Sequence, residues 1–463
     1  MPMLAGIAAT AALLLAAEAA SAARPLDTGL LDSNYGVPDP EAEAFLFDHT
    51  VAAGARFAKI SVGWRARVTG VPANPSDPAD PAYDWSYVDR AVRDAAARGV
   101  EPLLFVTDAP EFAEGPGRPE DVIPGTWRPD PNAFAAFARA VATRYSGTFV
   151  ADGGALPRVR YYQAWTEPNL SNHLAPQYEG GQPVAPTLFR DLLNALYGAV
   201  KAVHPDNVVI TAGTAPYGDD PPNANRTRPL TFWRDVLCLN AADRPLACPV
   251  RASFDALAHQ PINTTGAPRE PAVDPDDATV ADFGELRTIL RAAEAAGTIA
   301  TPGRHQLWST EMWWETDPPD PLQGISPRLQ ARWLEQSIYL LWKQGARVVI
   351  YQGVRDTAYH PDVFDELSGS GIYFEDGSAK PALTAFRFPF VVSRAKGQKL
   401  IAWGRVPVGG RLVIKSRVGH RWRRVRSLTL HAGAVFKAKL PQGAGRRLRA
   451  TIGGERSLVW RRR

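Results

Sequence analysis

Two glutamates stand where an apolar run gives way to a polar loop. Glu167 follows Tyr161-Tyr162-Gln163-Ala164-Trp165-Thr166 and precedes Pro168 and Asn169. Glu311 follows Leu307-Trp308-Ser309-Thr310 and precedes Met312, Trp313 and Trp314. A carboxyl group at a strand end, stiffened by the proline after it, is a candidate acid/base, and a second one among tryptophans is a candidate nucleophile. Two carboxyl groups facing across one mouth are what glycosidic bond cleavage requires: one protonates the leaving oxygen while the other attacks the anomeric carbon or activates water. Separations of about 5–5.5 Å give retention of configuration, and about 6.5–9.5 Å inversion.

Such positions need a scaffold that delivers strand ends to a common face. Between residues 25 and 390 short β-branched and aromatic runs alternate with helix-period segments, the pattern of repeated βα units. Eight runs are present, at Gly29–Tyr35, Phe57–Trp64, Glu101–Thr107, Val159–Trp165, Asn207–Ala212, Phe254–His259, Gln306–Thr310 and Arg347–Gln352. The helix signals agree. Asp130-Pro131 supplies an N-cap and an N1 proline before Phe134, Phe137, Val141 and Tyr145; Ser326-Pro327 opens a helix carrying Leu334, Ile338, Leu341 and Trp342 that stops at Gly345. The long polar loops, such as 171–186, 215–228, 260–277 and 316–324, all follow strands, whereas returns from helix to strand are short. This predicts an α/β fold, a (β/α)8 TIM barrel whose active face is built by those long loops and on which Glu167 ends the fourth strand and Glu311 the seventh.

Composition sets the outer bounds. The chain has 463 residues, 22% charged and 45% hydrophobic, which suits a large folded domain with a small one attached. Two cysteines rule out a disulfide framework and a zinc-ligand spacing; no metal or organic cofactor is expected, and Cys238 and Cys248, close together in one loop, are placed to pair in an oxidising compartment. The apolar stretch Leu4–Ala17, ending in Ala20-Ser21-Ala22, reads as a secretory signal peptide over 1–22, so an extracellular, periplasmic or cell-wall location is expected. Beyond it no apolar run is long enough to span a membrane. The net charge of +4 hides a division: from Ser393 onward twenty lysines and arginines face one acid, Glu455, a net +19, while the remainder carries 32 basic and 47 acidic residues, a net −15. Residues 391–463 also change to short alternating runs separated by glycine turns, which predicts a small, basic, all-β, β-sandwich-like module.

Trp-Thr-Glu-Pro-Asn at 165–169, Thr-Glu-Met-Trp-Trp at 310–314 and the Asp-Gly-Ser-x-Lys-Pro core within Gly371–Pro381 resemble the clan A glycoside hydrolases, closest to families 39 and 5, over residues 25–390. The resemblance implies a retaining mechanism with Glu167 as acid/base and Glu311 as nucleophile. The chain departs from the clan at two positions: Thr166 stands where the clan has an asparagine that binds the sugar 2-hydroxyl, and Lys59 where it commonly has an arginine on strand two. Lysine keeps the charge and loses the bidentate fork. Trp64, Trp313, Trp314 and Tyr351, at or just beyond strand ends, are candidates to stack on a sugar ring. His259 ends the sixth run at a position where the clan often holds a site histidine. Asn34, Asp108 and Gln352 are further strand-end candidates for substrate contact, and Asn169 either binds sugar or shapes the fourth loop.

The expected partner is therefore a carbohydrate, most simply a poly- or oligosaccharide, with no nucleic acid. Two other readings remain open: a non-catalytic carbohydrate-binding or cell-wall-associated protein on the same barrel, motivated by Thr166 and Lys59, and a basic C-terminal module that contacts an anionic polysaccharide or cell-wall polymer.

Overall fold

The computed structural model describes residues 23–462 apart from 221–224, 264–265, 363–366, 396 and 398, so the expected signal peptide lies outside the described residues. Eight parallel strands close into a barrel: β1 (Asp27–Leu31), β2 (Phe57–Gly63), β3 (Glu101–Thr107), β4 (Tyr161–Ala164), β5 (Val208–Thr214), β6 (Ala256–His259), β7 (Gln306–Ser309) and β8 (Val348–Gln352), with β8 pairing back onto β1. All eight overlap the runs read from the sequence. β1 ends earlier than expected because the Asp32 carboxylate accepts the Asn34 N–H at 3.0 Å and turns the chain.

Helices α1 (Pro40–Ala52), α2 (Ser86–Ala97), α3 (Pro131–Arg144), α4 (Ala185–Val203), α5 (Pro229–Val236), α6 (Phe283–Ala296), α7 (Pro327–Gln344) and α8 (Pro381–Arg387) follow the strands in turn. Their starts are chemically marked. Asp39, Asp130 and Ser326 each accept a backbone N–H of the first turn, and each is followed by proline at N1. Gly345 ends α7 at φ 131°, a conformation costly for any residue with a Cβ.

The barrel interior is layered by the two-residue period of its strands. Phe57 on β2, Tyr161 on β4 and Trp308 on β7 meet inside, with ring centroids 4.9–6.1 Å apart, and plug the lower barrel together with Leu31, Leu103, Ile210 and Ile350. Two residues further along the same strands stand Lys59, Gln163 and Thr310, so a polar layer lies directly above the aromatic plug. The outward-facing residues join the larger core between strands and helices.

After α8 the chain forms two antiparallel sheets. One contains β9 (Phe390–Arg394), β10 (Leu400–Arg405) and β13 (Val435–Leu440); the other contains β11 (Gly410–Val418), β12 (Arg421–Leu430), β14 (Arg447–Ile452), β15 (Glu455–Arg456) and β16 (Trp460–Arg461). The module is seated on the barrel by Trp403 against Tyr339 and Trp342 of α7 at 5.2 and 5.4 Å, by an Arg387–Glu455 ion pair at 2.7 Å, and by Arg405, which donates to the Leu26 carbonyl at 3.2 Å. No described helix is long and apolar enough to cross a membrane.

Candidate active site

Lys59 rises from the polar layer into the barrel mouth. Its side chain is 1% exposed, and its ammonium lies 3.4 Å from Glu311 Oε2, 3.3 Å from the Thr310 carbonyl and 4.6 Å from the centre of the Phe105 ring. Burial pushes the amine below its usual value, while the charges of Glu311 and, more weakly, Glu167 pull it back up. Both candidate carboxylates therefore lie within the field of one buried cation. Gln260, the residue after β6, is itself fully buried and directs its amide Nε2 to Glu311 Oε2 at 3.0 Å and to Thr166 Oγ1 at 3.5 Å. Glu311 Oε2 thus receives an ammonium and an amide N–H, both of which complement a carboxylate.

Glu167 is set differently. Its backbone takes φ 37° and its N–H donates to the Gly213 carbonyl at 2.9 Å; Trp165, two residues earlier, has φ 66°. These left-handed conformations break the strand alternation. Trp165 turns outward against Phe134, and its indole donates to the His173 carbonyl at 2.8 Å, which ties down the loop that brings His173 Nε2 to 3.5 Å from Glu167 Oε2. Burial lowers the His173 imidazole to about 4, so it is neutral at ordinary pH. Gly213 has a steric reason: a Cβ there would meet Gln260 Cγ and Thr310 Oγ1 at 2.6 Å. The side chains of Glu167 and Glu311 keep 17% and 15% exposure, so solvent reaches both.

Several expected sugar contacts are corrected. His259 is fully buried: Thr214 Oγ1 lies 2.8 Å from Nδ1 and the Ala278 carbonyl 2.7 Å from Nε2, so both ring nitrogens are used within the protein, and burial pushes the imidazole down to about 4. Trp64 packs behind the barrel, stacked on Phe137 of α3 at 5.2 Å, and Trp314 is buried against Trp333, its indole donating to the Gly266 carbonyl. Tyr351 is buried with its hydroxyl on the Ser370 carbonyl at 2.9 Å. Asn169, expected either to bind sugar or to shape the fourth loop, is buried, donating to the Ala215 and Thr227 carbonyls and accepting the Ala215 N–H, which is the second of those roles. None of these five presents a free face to a ligand. Trp313 is 6% exposed.

The remaining candidates sit as follows. Asp108 follows β3, half-buried at φ 61°, accepting from Thr107 Oγ1, with its carboxyl raised by burial. Gln352 is buried and donates its backbone N–H to the Met312 carbonyl. Asn34 lines a cavity of about 510 Å³ with Arg355 and Glu375, whose lining includes neither Glu167 nor Glu311. Lys59, Thr166, Glu167 and Glu311 are the expected residues that the fold brings together; Gln260 and His173 are additions. Among the described residues no group of three or more His, Cys, Asp or Glu side chains could hold a metal ion.

No family model matches the sequence, and no curated protein does. Among solved structures, the chain is similar to a family 39 glycoside hydrolase from Bacteroides cellulosilyticus WH2, at 16% identity and a TM-score of 0.55 over 90% of this chain and 81% of that one. It is also similar to a glucosidase from Croceicoccus marinus (14% identity, TM-score 0.52, 91% and 95% covered) and to a GH30 endoxylanase from Clostridium papyrosolvens C71 (9% identity, TM-score 0.51, 94% and 97% covered). At these identities the likeness establishes a shared fold, and family 39, named from the motifs, is among the matches.

Proposed function

We propose that this protein is a secreted glycoside hydrolase that cleaves O-glycosidic bonds of a poly- or oligosaccharide with retention of configuration. The observation that carries the reading is the pair of carboxylates at the ends of β4 and β7, held in unlike surroundings under one buried cation: Glu311 against Lys59 and Gln260, Glu167 against the neutral His173. The matched folds, named as a glycoside hydrolase, a glucosidase and an endoxylanase, support the substrate class.

In this mechanism the Glu311 carboxylate attacks the anomeric carbon as Glu167 gives its proton to the departing glycosidic oxygen, leaving a glycosyl ester on Glu311. Glu167, now ionised, takes a proton from water, whose oxygen attacks the same carbon and releases Glu311. Lys59 keeps Glu311 ionised and Gln260 fixes its Oε2. The disulfide joining Cys238 and Cys248 suits the oxidising compartment that secretion implies.

The test is release of new reducing ends by the mature chain across plant and bacterial polysaccharides, beside Glu167→Gln and Glu311→Gln. Turnover by the parent that is lost in both variants supports the hydrolase. Sugar binding without products in the parent supports a carbohydrate-binding protein on the same barrel.

A further inference from the structure

The basic residues of the C-terminal module are not scattered over it. In the five-stranded sheet Leu412, Ile414 and Ser416 of β11, and Leu448, Ala450 and Ile452 of β14, point into the module and are buried, so the residues between them form one outer face. Across that face Arg424, Lys415 and Arg449 stand in a row on β12, β11 and β14, with Lys415 directly opposite both arginines. Two residues along the strands, Trp422 pairs with Arg417, and Arg447 faces Arg461 of β16. The Arg449 guanidinium lies 4.4 Å from the centre of the Trp422 ring.

Cations set directly opposite one another on neighbouring strands, about 5 Å apart, repel. A basic edge strand is explained by protection against pairing with other chains, but β11 lies inside the sheet and needs no such protection. Nor does the module supply counter-charges. Glu455, the single acid after Ser393, lies opposite Ile452 in the inward register and is spent on Arg387 of the barrel. Among the described residues none of Lys415, Arg417, Arg424, Arg447, Arg449 and Arg461 is in an ion pair.

We propose that this face is a binding surface for an acidic polysaccharide whose sugars carry carboxylates, distinct from the barrel mouth. Five of the six cations are arginines, whose planar forks match carboxylates bidentately. Trp422, with the Arg449 guanidinium over its ring, adds apolar surface beside the cations against which the C–H groups of a sugar pack while its carboxylate meets the guanidinium. The preference for a glycan over a nucleic acid rests on the glycosidase reading. The surface itself does not, because binding is measured without turnover.

The experiment uses the full mature chain with polygalacturonate as probe, beside a neutral glucan and duplex DNA, by affinity electrophoresis and calorimetry. Polygalacturonate binds, the neutral glucan does not, and binding falls steeply between about 50 and about 300 mM salt as screening tightens. A Lys415→Ser/Arg449→Ser variant loses about tenfold or more in affinity, as fewer counterions are released, with melting temperature and any hydrolysis of small glycosides unchanged. Arg424→Ser, on the outer strand, gives an independent second loss, and Trp422→Ala weakens polygalacturonate more than DNA. No binding at low salt, or affinity unchanged in the folded double variant, overturns the proposal. DNA bound more tightly than polygalacturonate, with Trp422→Ala silent, overturns it in favour of a nucleic-acid surface.

Discussion

Replacing Lys59 with methionine removes the cation beside Glu311 while nearly preserving side-chain volume. At 3.4 Å and an effective dielectric of about 20, the pair attraction is about 5 kcal/mol. Glu311 keeps 15% exposure and the Gln260 amide remains, so solvent and that donor recover part of the loss, leaving about 2–3 kcal/mol. The direction follows from charge: without the ammonium the carboxylate is less favoured than the neutral acid and takes up a proton at higher pH. The acidic limb of the kcat/KM profile, which reports ionisation of Glu311 in this mechanism, therefore moves to higher pH. The alkaline limb, which reports Glu167, moves the same way by less, because the influence of Lys59 on that residue is weaker. The assay is a pH profile on the polysaccharide that the reducing-end panel identifies, with far-UV circular dichroism to confirm the fold. A folded Lys59→Met enzyme whose activity falls equally at every pH, with both limbs in place, refutes the assigned electrostatic role.

Other outcomes follow from the same geometry. Gln260→Leu removes a charge-assisted hydrogen bond to Glu311 worth about 1.5–3 kcal/mol, so kcat falls by about 10- to 100-fold with a smaller change in KM, read by steady-state kinetics. Burial pushes the Glu335 carboxyl up to about 8 despite Arg332 at 3.1 Å, so the folded chain holds this proton across a range in which the unfolded chain releases it. Its contribution to stability is complete at pH 4 and is lost as pH rises toward 8; urea unfolding of Glu335→Gln therefore loses less stability than the parent between those limits. Lys380, fully buried 2.7 Å from the equally buried Asp356, also bonds Thr316 and the Gly369 carbonyl; Lys380→Met costs about 3–5 kcal/mol in denaturant unfolding, and adding Asp356→Leu restores much of it.

The barrel was readable because its signals are local. Strand runs are bounded by turn residues, Asp-Pro and Ser-Pro mark helix starts, and the long loops cluster after strands. The two glutamates were legible as candidates because both the strand ends and the residue chemistry pointed to them. The misplaced side chains share one cause, the alternation of inward and outward faces. On β6 the interior residues are Ala256 and Ala258, so the next inward position is Gln260, and His259 points to the helices. On β2 the inward set runs Phe57, Lys59, Ser61 and Gly63, which sends Trp64 outward; on β8 Val348 and Ile350 are inside and Tyr351 is not. Counting by two from the plug residues would have found Gln260 and removed Trp64, His259 and Tyr351.

His173 carried no comparable signal. It stands in a loop whose path depends on the left-handed turns at Trp165 and Glu167 and on the indole bond to its own carbonyl, none of which has a sequence period. The basic face was visible only as composition. That its cations line up across β12, β11 and β14, and that Glu455 is withdrawn to the barrel, depends on strand register, which composition does not encode.

The central claim, a double displacement through Glu311, is tested most directly by the stereochemistry of the first product. With the substrate identified by the reducing-end panel, proton NMR during the first minutes of hydrolysis, before mutarotation, shows the anomer released. The account predicts the same configuration as the bond cleaved, and none of that product from Glu311→Gln. An inverted anomer, or undiminished hydrolysis by Glu311→Gln, contradicts it.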